Sequence, residues 1–363
     1  MISARSPKSG RSRLPRVTAG AALFAAGTLA LAGCGGSGAA GGGEGELQEM
    51  TAVTFLPMES FTFTPEMYAY AGGYFEDHGL DVTLEPVKGT AAAVQAVLGG
   101  AADITRVSSI DSMPPLEEGQ PIVPIGTMAY KSNLRVVSSE GNPIESPDDM
   151  AGQTMGMGSI GGTSEKMLNL ALDAGGVDRD SVTRQAVPVT GATYQLVKQE
   201  QLAGYIVSLD TSIQLGLQNP DAVVTDAGLA EAPDIQTWLA TQEALDDEQS
   251  AENITAFLAA IEDAVQDIID DADNDFENVI ATLRDSGDFD FAALDDDDVA
   301  AEALDFYVNN TWVDPDGDTP MLAHNPEAWT DAYDTYVEAG LLEGGQDPAA
   351  WLDSDHLPSA DAE

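Results

Sequence analysis

The chain has 363 residues, enough for two ordinary domains, with 43% hydrophobic and 21% charged side chains. Its 62 acidic residues face only 14 Lys and Arg, a formal net charge of −48, and a surface of that sign excludes nucleic acid and anionic lipid headgroups as partners. The single cysteine, Cys34, excludes a disulfide within the chain.

The first 33 residues read as a targeting segment. Arg5, Lys8, Arg11, Arg13 and Arg16 precede an apolar stretch over 17–32, the order of a signal peptide. Leu31-Ala32-Gly33-Cys34 resembles the bacterial lipobox, which implies acylation of Cys34 as the mature N-terminus. A signal-anchor helix is the alternative, but the run is short for the ~20 residues of a span. The Gly-rich segment that follows makes residues 34–50 a flexible tether. Diacylation with amide acylation supplies the more than one buried chain that stable anchoring requires. All the acids lie beyond residue 33, so removal of the leader leaves nine cations against 62 acids. Such a charge suits a salty or extracellular medium, where salt screens self-repulsion.

From residue 51 the pattern alternates strand and helix. A strand is predicted over 51–56, ended by Pro57, with the loop Met58-Glu59-Ser60-Phe61-Thr62-Phe63-Thr64 ahead of a helix that Pro65 opens. That helix stops at Gly72-Gly73. Strand 82–84 follows an acidic turn, a helix of small apolar residues spans 91–98, and Gly99-Gly100 ends it before strand 103–107. A short helix over 111–118, a strand over 122–127 and another over 134–138 come next. The succession is that of an α/β fold. A capped turn at 146–153 leads to strand 154–157, and the loop 158–164 feeds a helix over 165–174. Further elements are a strand at 183–187, a helix at 191–200, strand 203–208 and a short strand at Val223-Val224. After about residue 235 helical periodicity takes over, with helices predicted at 253–270, 275–284, 298–308 and from Asn325 to Gly340. No internal repeat is visible. Acidic runs at 295–298 and 314–318 read as solvated turns, since neither has the ligand spacing of an EF-hand.

Several of these pieces, in order, resemble one family. Gly73-Tyr74-Phe75, Gly79-Leu80-Asp81-Val82 and Gly99-Gly100-Ala101-Ala102-Asp103-Ile104 are similar to the solute-binding proteins of the nitrate/sulfonate/taurine and thiamine-precursor ABC importers. Residues 146–153 match the segment that opens the second lobe there, with Met150 in the usual Leu place, and the Trp329-to-Leu341 helix matches the closing one. Gly204-Tyr205-Ile206 departs from the family pattern. The resemblance spans residues 51–343 and implies a periplasmic-binding-protein type II fold with a ligand cleft between two lobes. Lobe 1 would comprise 51–128 and a helical part on 234–343, lobe 2 would comprise 129–233, and an acidic tail 344–363 would follow. Crossings are expected near 128–134 and 226–236. It further implies an extracytoplasmic monomer that passes a solute to a membrane permease and its ATPase, with no cofactor.

Candidate ligand-binding residues follow from position. Ligands of open α/β sheets bind beyond the carboxyl ends of the strands, which is where Glu59, Ser60, Phe61, Arg106, Ser108, Ser109 and Asp210 fall. In the loop 158–164, Gly161 and Gly162 let the backbone approach a ligand, while Thr163 or Ser164 could bond it or simply cap the helix; the resemblance puts binding ahead of capping alone. Arg106 could hold an anion bidentately or form a salt bridge with Glu59 or Asp111. Phe61, Phe63 and Tyr130 could sandwich a planar ligand or serve as core, the latter above all for Phe63. Glu59, Asp111 and Asp210 could meet an amine. Anionic (sulfonate or taurine) and pyrimidine-like or other heterocyclic solutes therefore both stay open. His78, His324 and His356 are scattered, and no cysteine ligand set or nucleophile elbow exists for metal or triad chemistry. Two other classes stand beside solute capture: a pyrimidine-precursor synthase on the same fold, and a surface lipoprotein without a transport role.

Overall fold

A computed structural model describes residues 47–312 and 319–358. The leader, Cys34, most of the tether and the acidic stretch at 314–318 lie outside the described residues.

The first half runs β1 (Gln48–Thr54), α1 (Thr64–Ala71), α2 (Tyr74–Asp77), β2 (Leu80–Pro86), α3 (Thr90–Leu98), β3 (Ile104–Ser108), α4 (Ser109–Glu117) and β4 (Ile122–Lys131). The second half has β5 (Leu134–Ser139), β6 (Thr154–Met157), α5 (Thr163–Ala174), β7 (Thr183–Ala186), α6 (Tyr194–Lys198), β8 (Gly204–Ser208), α7 (Leu209–Gln218) and β9 (Ala222–Thr225). The chain then forms β10 (Pro233–Thr241), α8 (Gln242–Asp246), α9 (Glu248–Asp270), α10 (Glu277–Ser286), α11 (Asp297–Asn310) and α12 (Pro326–Glu338).

Two five-stranded sheets result, ordered β2-β1-β3-β10-β4 and β7-β6-β8-β5-β9. In the first, β1 pairs in parallel with β2 and β3, and β10 lies antiparallel between β3 and β4. In the second, β6 pairs in parallel with β7 and β8, and β5 lies antiparallel between β8 and β9. The two orders are the same, and in each sheet the inserted antiparallel strand is the first one after the chain arrives from the other sheet. This topological repeat has no counterpart in the residues, because ladder hydrogen bonding and alternate burial constrain hydrophobicity rather than identity. The directions also place both connections, at 132–133 and between β9 and β10, on the edges where the parallel strands end.

The helices after β10 form their packing layer from a long apolar stripe. On α9, Ile254, Phe257, Leu258, Ile261, Val265 and Ile268 are buried, each worth about 1.5–3 kcal/mol relative to exposure. Phe257 stacks on Phe75 with centroids 5.0 Å apart and meets Trp238 edge-on at 5.1 Å, which fixes α9 under the first sheet. No helix among the described residues is long and apolar enough to cross a membrane.

Three sequence expectations change. The stretch after residue 235 does not begin helical: residues 233–241 are β10, in the interior of the first sheet. Ile235, Thr237 and Trp238 favour a pleated, buried surface, and three register shifts against β4 break the alternation that would have marked the strand. The helix expected over 191–200 is only a 3₁₀ turn at 191–193 and the short α6. Residues 344–358, expected only as an acidic tail, form a packed return: Trp351 meets Tyr333 edge-on at 5.5 Å, the Asp353 N–H donates to Pro124 O at 2.9 Å, and Leu357 is buried.

Candidate functional site

The strand-end loops of both sheets meet along one seam. At its centre is Asp111, in the first turn of α4. Its Oδ1 takes a bond from Lys166 Nζ at 2.6 Å and its Oδ2 one from Thr163 Oγ1, so the first two turns of α5 reach across to the first sheet. Thr163 Oγ1 also lies 3.3 Å from Thr90 Oγ1 at the start of α3. Three loops thus converge on one hydroxyl. The α5 N-cap is Gly162, with no side-chain cap. Thr163 therefore does not cap its helix, because its hydroxyl is committed across the seam. Gly161 adopts φ +79°, a left-handed conformation that favours glycine, and its N–H donates to Glu165 Oε2 at 2.5 Å. A Cβ on Gly162 would overlap the Ser159 hydroxyl. Ser164 is half-buried beside them.

A second set of bonds joins the sheets nearer the connections. Ser60 Oγ donates to Asp210 Oδ1 at 2.8 Å, and Asp210 is 1% exposed in the first turn of α7. Burial pushes its carboxyl up to about 6, against the opposing hydrogen bonds of Ser60, its own backbone and Ser208. The buried Tyr307 hydroxyl accepts from Asn133 Nδ2 at 2.6 Å; burial first, and then the charge of Asp210, raises the tyrosine far above its ordinary value. Next to Asn133, Ser132 bonds Asp234, which also accepts from Ser108 Oγ at 2.5 Å and from Gln236 Nε2 at 3.0 Å. Burial raises the Asp234 carboxyl as well. Gln236 Oε1 is buried without a hydrogen-bond partner among the described residues.

Several candidates prove to be occupied by the fold. Arg106 is 2% exposed, and its guanidinium grips Glu66 through Nε at 2.8 Å and Nη2 at 3.2 Å and gives Nη2 to Thr62 O at 2.6 Å. The partner is Glu66, neither Glu59 nor Asp111, because the first turn of α1 turns Glu66 inward while Glu59 stays in solvent. Phe61 is fully buried edge-on to Phe291, at 5.1 Å, and cannot sandwich a ligand there. Phe63 is core as expected, 5.3 Å from Phe55. Ser109 is buried, with its hydroxyl 2.8 Å from Tyr336 OH and accepting from the Ile235 N–H. Tyr130 is half-buried and donates to Ala323 O at 2.7 Å. Thr90, Asn133, Lys166, Asp234, Gln236 and Tyr307 were not singled out from the sequence. Lys166 was legible only as one of few cations, and the rest carry no local signal.

The histidines are engaged singly: His78 with Asp263, His356 with Asp353, and buried His324 with Thr127 Oγ1 and Pro124 O. No group of three His, Cys, Asp or Glu among the described residues could hold a metal. A cavity of about 760 Å³ lies elsewhere, lined by Asn142, Gln153, Lys198, Glu200, Ala203 and Asp221 among others. It opens at the strand-start edge of the second sheet, and the seam is the better candidate because the strand-end loops converge there.

A family model described as NMT1/THI5 like matches residues 60–274. The riboflavin-binding protein RibY of Chloroflexus aurantiacus (strain ATCC 29366 / DSM 635 / J-10-fl) is 25% identical over 209 residues, 52% of this chain and 58% of the relative. The aligned stretch therefore spans little more than half of that relative. Among solved structures, the periplasmic aliphatic sulphonate binding protein SsuA of Escherichia coli superposes with a TM-score of 0.62 at 16% identity, covering 84% of this chain and 97% of its own. The periplasmic nitrate-binding protein NrtA of Synechocystis PCC 6803 gives 0.60 at 15% identity, covering 84% and 85%. At such identities these two structures speak to the fold alone.

Proposed function

The chain belongs to the NMT1/THI5-like family, and from that premise we propose that it is an extracytoplasmic solute-binding lipoprotein. It captures a small organic solute between two lobes and delivers it to an ABC import permease with its ATPase. The lobes are residues 51–128 with 234–343, and residues 129–233. A lipid on Cys34 ties the protein to the membrane, and it acts as a monomer. The observation that carries this reading is the meeting of strand-end loops from both sheets along one seam, bridged by Thr163, Asp111 and Lys166 and by Ser60 and Asp210. Such bonds contribute about 1 kcal/mol each, so the lobes can part and reclose. A solute that prefers the closed state shifts that balance toward it. Binding is favoured over catalysis because every histidine is committed to a structural partner and Cys34 stands in the lipobox-like segment.

A thermal-shift screen of the protein against alkanesulfonates, taurine, nitrate, hydroxymethylpyrimidines, riboflavin and aromatic carboxylates tests it. A solute at a hundredfold its dissociation constant adds about 2.7 kcal/mol of stability, a visible shift. Silence across the panel would sink solute capture and leave the surface lipoprotein. Conversion of a pyrimidine precursor in the same samples would favour the synthase.

A further inference from the structure

Resting on the solute-capture reading, we infer that the seam takes a solute by the hydrogen bonds the solute donates. The solute is a neutral or cationic molecule bearing N–H or O–H groups, received by Asp210, Asp234 and Gln236, and acceptor-only anions such as sulfonate or nitrate are turned away.

The first ground is a surplus of buried acceptors. Asp210 and Asp234 are 1% and 3% exposed, and neither takes part in an ion pair among the described residues. An ionised carboxylate offers about four lone-pair positions. The neutral donors that reach these two are Ser60, Ser208 and the residue's own backbone N–H at Asp210, and Ser108, Ser132 and Gln236 at Asp234, three for each carboxylate. Gln236 adds an acceptor with a fixed sense. Its Nε2 donates to Asp234 Oδ1 at 3.0 Å, so the carbonyl end is the one left over, and that end has no partner. A buried acceptor without a donor is costly, and a donor on a solute would recover that cost. The pieces lie on one continuous network, since the adjacent residues Ser132 and Asn133 bond Asp234 and Tyr307, and Tyr307 feels the charge of Asp210.

The second ground is the state of the cations. Arg106 is closed off by Glu66, and Lys166 by Asp111. Arg135 lies over the Phe306 ring, 4.8 Å from its centroid, and donates to Leu134 O. Lys88 and Lys131, which follow β2 and end β4, are exposed, where water and salt weaken their pull on an anion. An anion entering the seam would therefore meet buried negative charge and leave the acceptors unpaired, and both effects oppose binding.

The test is isothermal titration of the full-length protein with two groups of probes. Riboflavin, 4-amino-5-hydroxymethyl-2-methylpyrimidine and putrescine carry donors; nitrate and ethanesulfonate do not. The expected result is binding of at least one donor-bearing probe, none of either anion, and at least a tenfold loss of affinity in Asp210→Asn and in Gln236→Leu. Should Asp210→Asn fail to fold, the two replacements Gln236→Leu and Gln236→Met carry the comparison, with circular dichroism confirming their structure. Binding of nitrate or ethanesulfonate would overturn the inference while leaving solute capture intact, as would a donor-bearing probe bound equally well by every variant. Silence toward all five probes would overturn solute capture, and the inference with it.

Discussion

Arg106, 2% exposed, donates twice to Glu66 and once to Thr62 O, and its guanidinium lies 5.6 Å and 5.8 Å from the ring centroids of Phe63 and Trp238. Removing one member of a buried pair strands the other charge, at about 3–5 kcal/mol. Arg106→Ala is accordingly expected to lose that much in chemical denaturation, and the double replacement Arg106→Met with Glu66→Leu to regain most of it. A single variant as stable as the parent would show that the pair does not hold α1 to β3. The sequence placed Arg106 at the carboxyl end of a strand, whereas it is the middle residue of β3, and the sequence could not separate an anion site from an ion pair. The choice depended on which way the first turn of α1 faces, and residue spacing across forty positions does not encode that. Asp210 supports a second prediction at this scale. Its carboxyl sits at about 6 in the fold against an ordinary 3.9 or so, so between those values the native state holds the proton more tightly than the unfolded one. Stability from this group is complete below about pH 4 and lost as pH rises through 6, by roughly 3 kcal/mol. The difference between the parent and Asp210→Asn, measured by urea unfolding across pH 4–7, should follow that slope, the asparagine form gaining relative stability toward neutrality. A difference that is flat with pH would mean that Asp210 is solvated.

Among the elements, α5 and α4 hold the seam by their first turns. Thr163 and Lys166 both end on Asp111, and at about 1 kcal/mol per bond the pair Thr163→Val with Lys166→Ala should shift the closed-to-open balance roughly 30-fold. Small-angle scattering of the protein without solute would then give a larger radius of gyration than the parent; an unchanged radius would mean that core packing alone keeps the lobes shut. The loop 158–164 was legible as a site because glycines precede a helix start, a local pattern. Its partner was not, because Asp111 belongs to another sheet and reaches Thr163 only through the topology. The same reasoning explains β10. Parallel strands announce themselves by the βα turns that follow them, and those after β1, β2, β3 and β6 were legible, whereas the helix after β7 proved shorter than expected and α7, after β8, was not expected. An antiparallel strand inserted from a distant part of the chain has no such turn, and the bulges of β10 blur its alternation. Trp238, 1% exposed between Phe257 and Arg106, locks that strand, and Trp238→Ala should cost about 3–5 kcal/mol in thermal or urea unfolding.

For the whole molecule the governing quantity is the imbalance of 62 acids against 14 cations. The cations that remain after the first 33 residues are largely spent on specific partners: Arg106, Lys166, Arg179, Arg184, Lys198 and Arg284 all sit in ion pairs. Most of the carboxylates are left without a Lys or Arg partner among the described residues and take their bonds from water, backbone N–H groups and neutral side chains such as Ser60 and Tyr333. Folding brings them closer together than in the extended chain, so self-repulsion works against the compact state. Screening acts on that term directly, since raising ionic strength from 0.01 M to 1 M shortens the Debye length from about 30 Å to about 3 Å. The unfolding midpoint should therefore rise steadily with NaCl over that range, and rise equally with KCl, whereas buried contributions such as the Arg106–Glu66 pair should barely respond. Lowering the pH toward 5 should act in the same direction, because it discharges surface acids and protonates Asp210 together. The two causes separate in the Asp210→Asn background, where the salt dependence should persist in full and the acid-side gain should shrink. A midpoint that is flat or falling in salt would mean that the acidic surface is locally neutralised in the fold, and the charge would then have to be explained by a bound cation or a partner rather than by the surrounding medium.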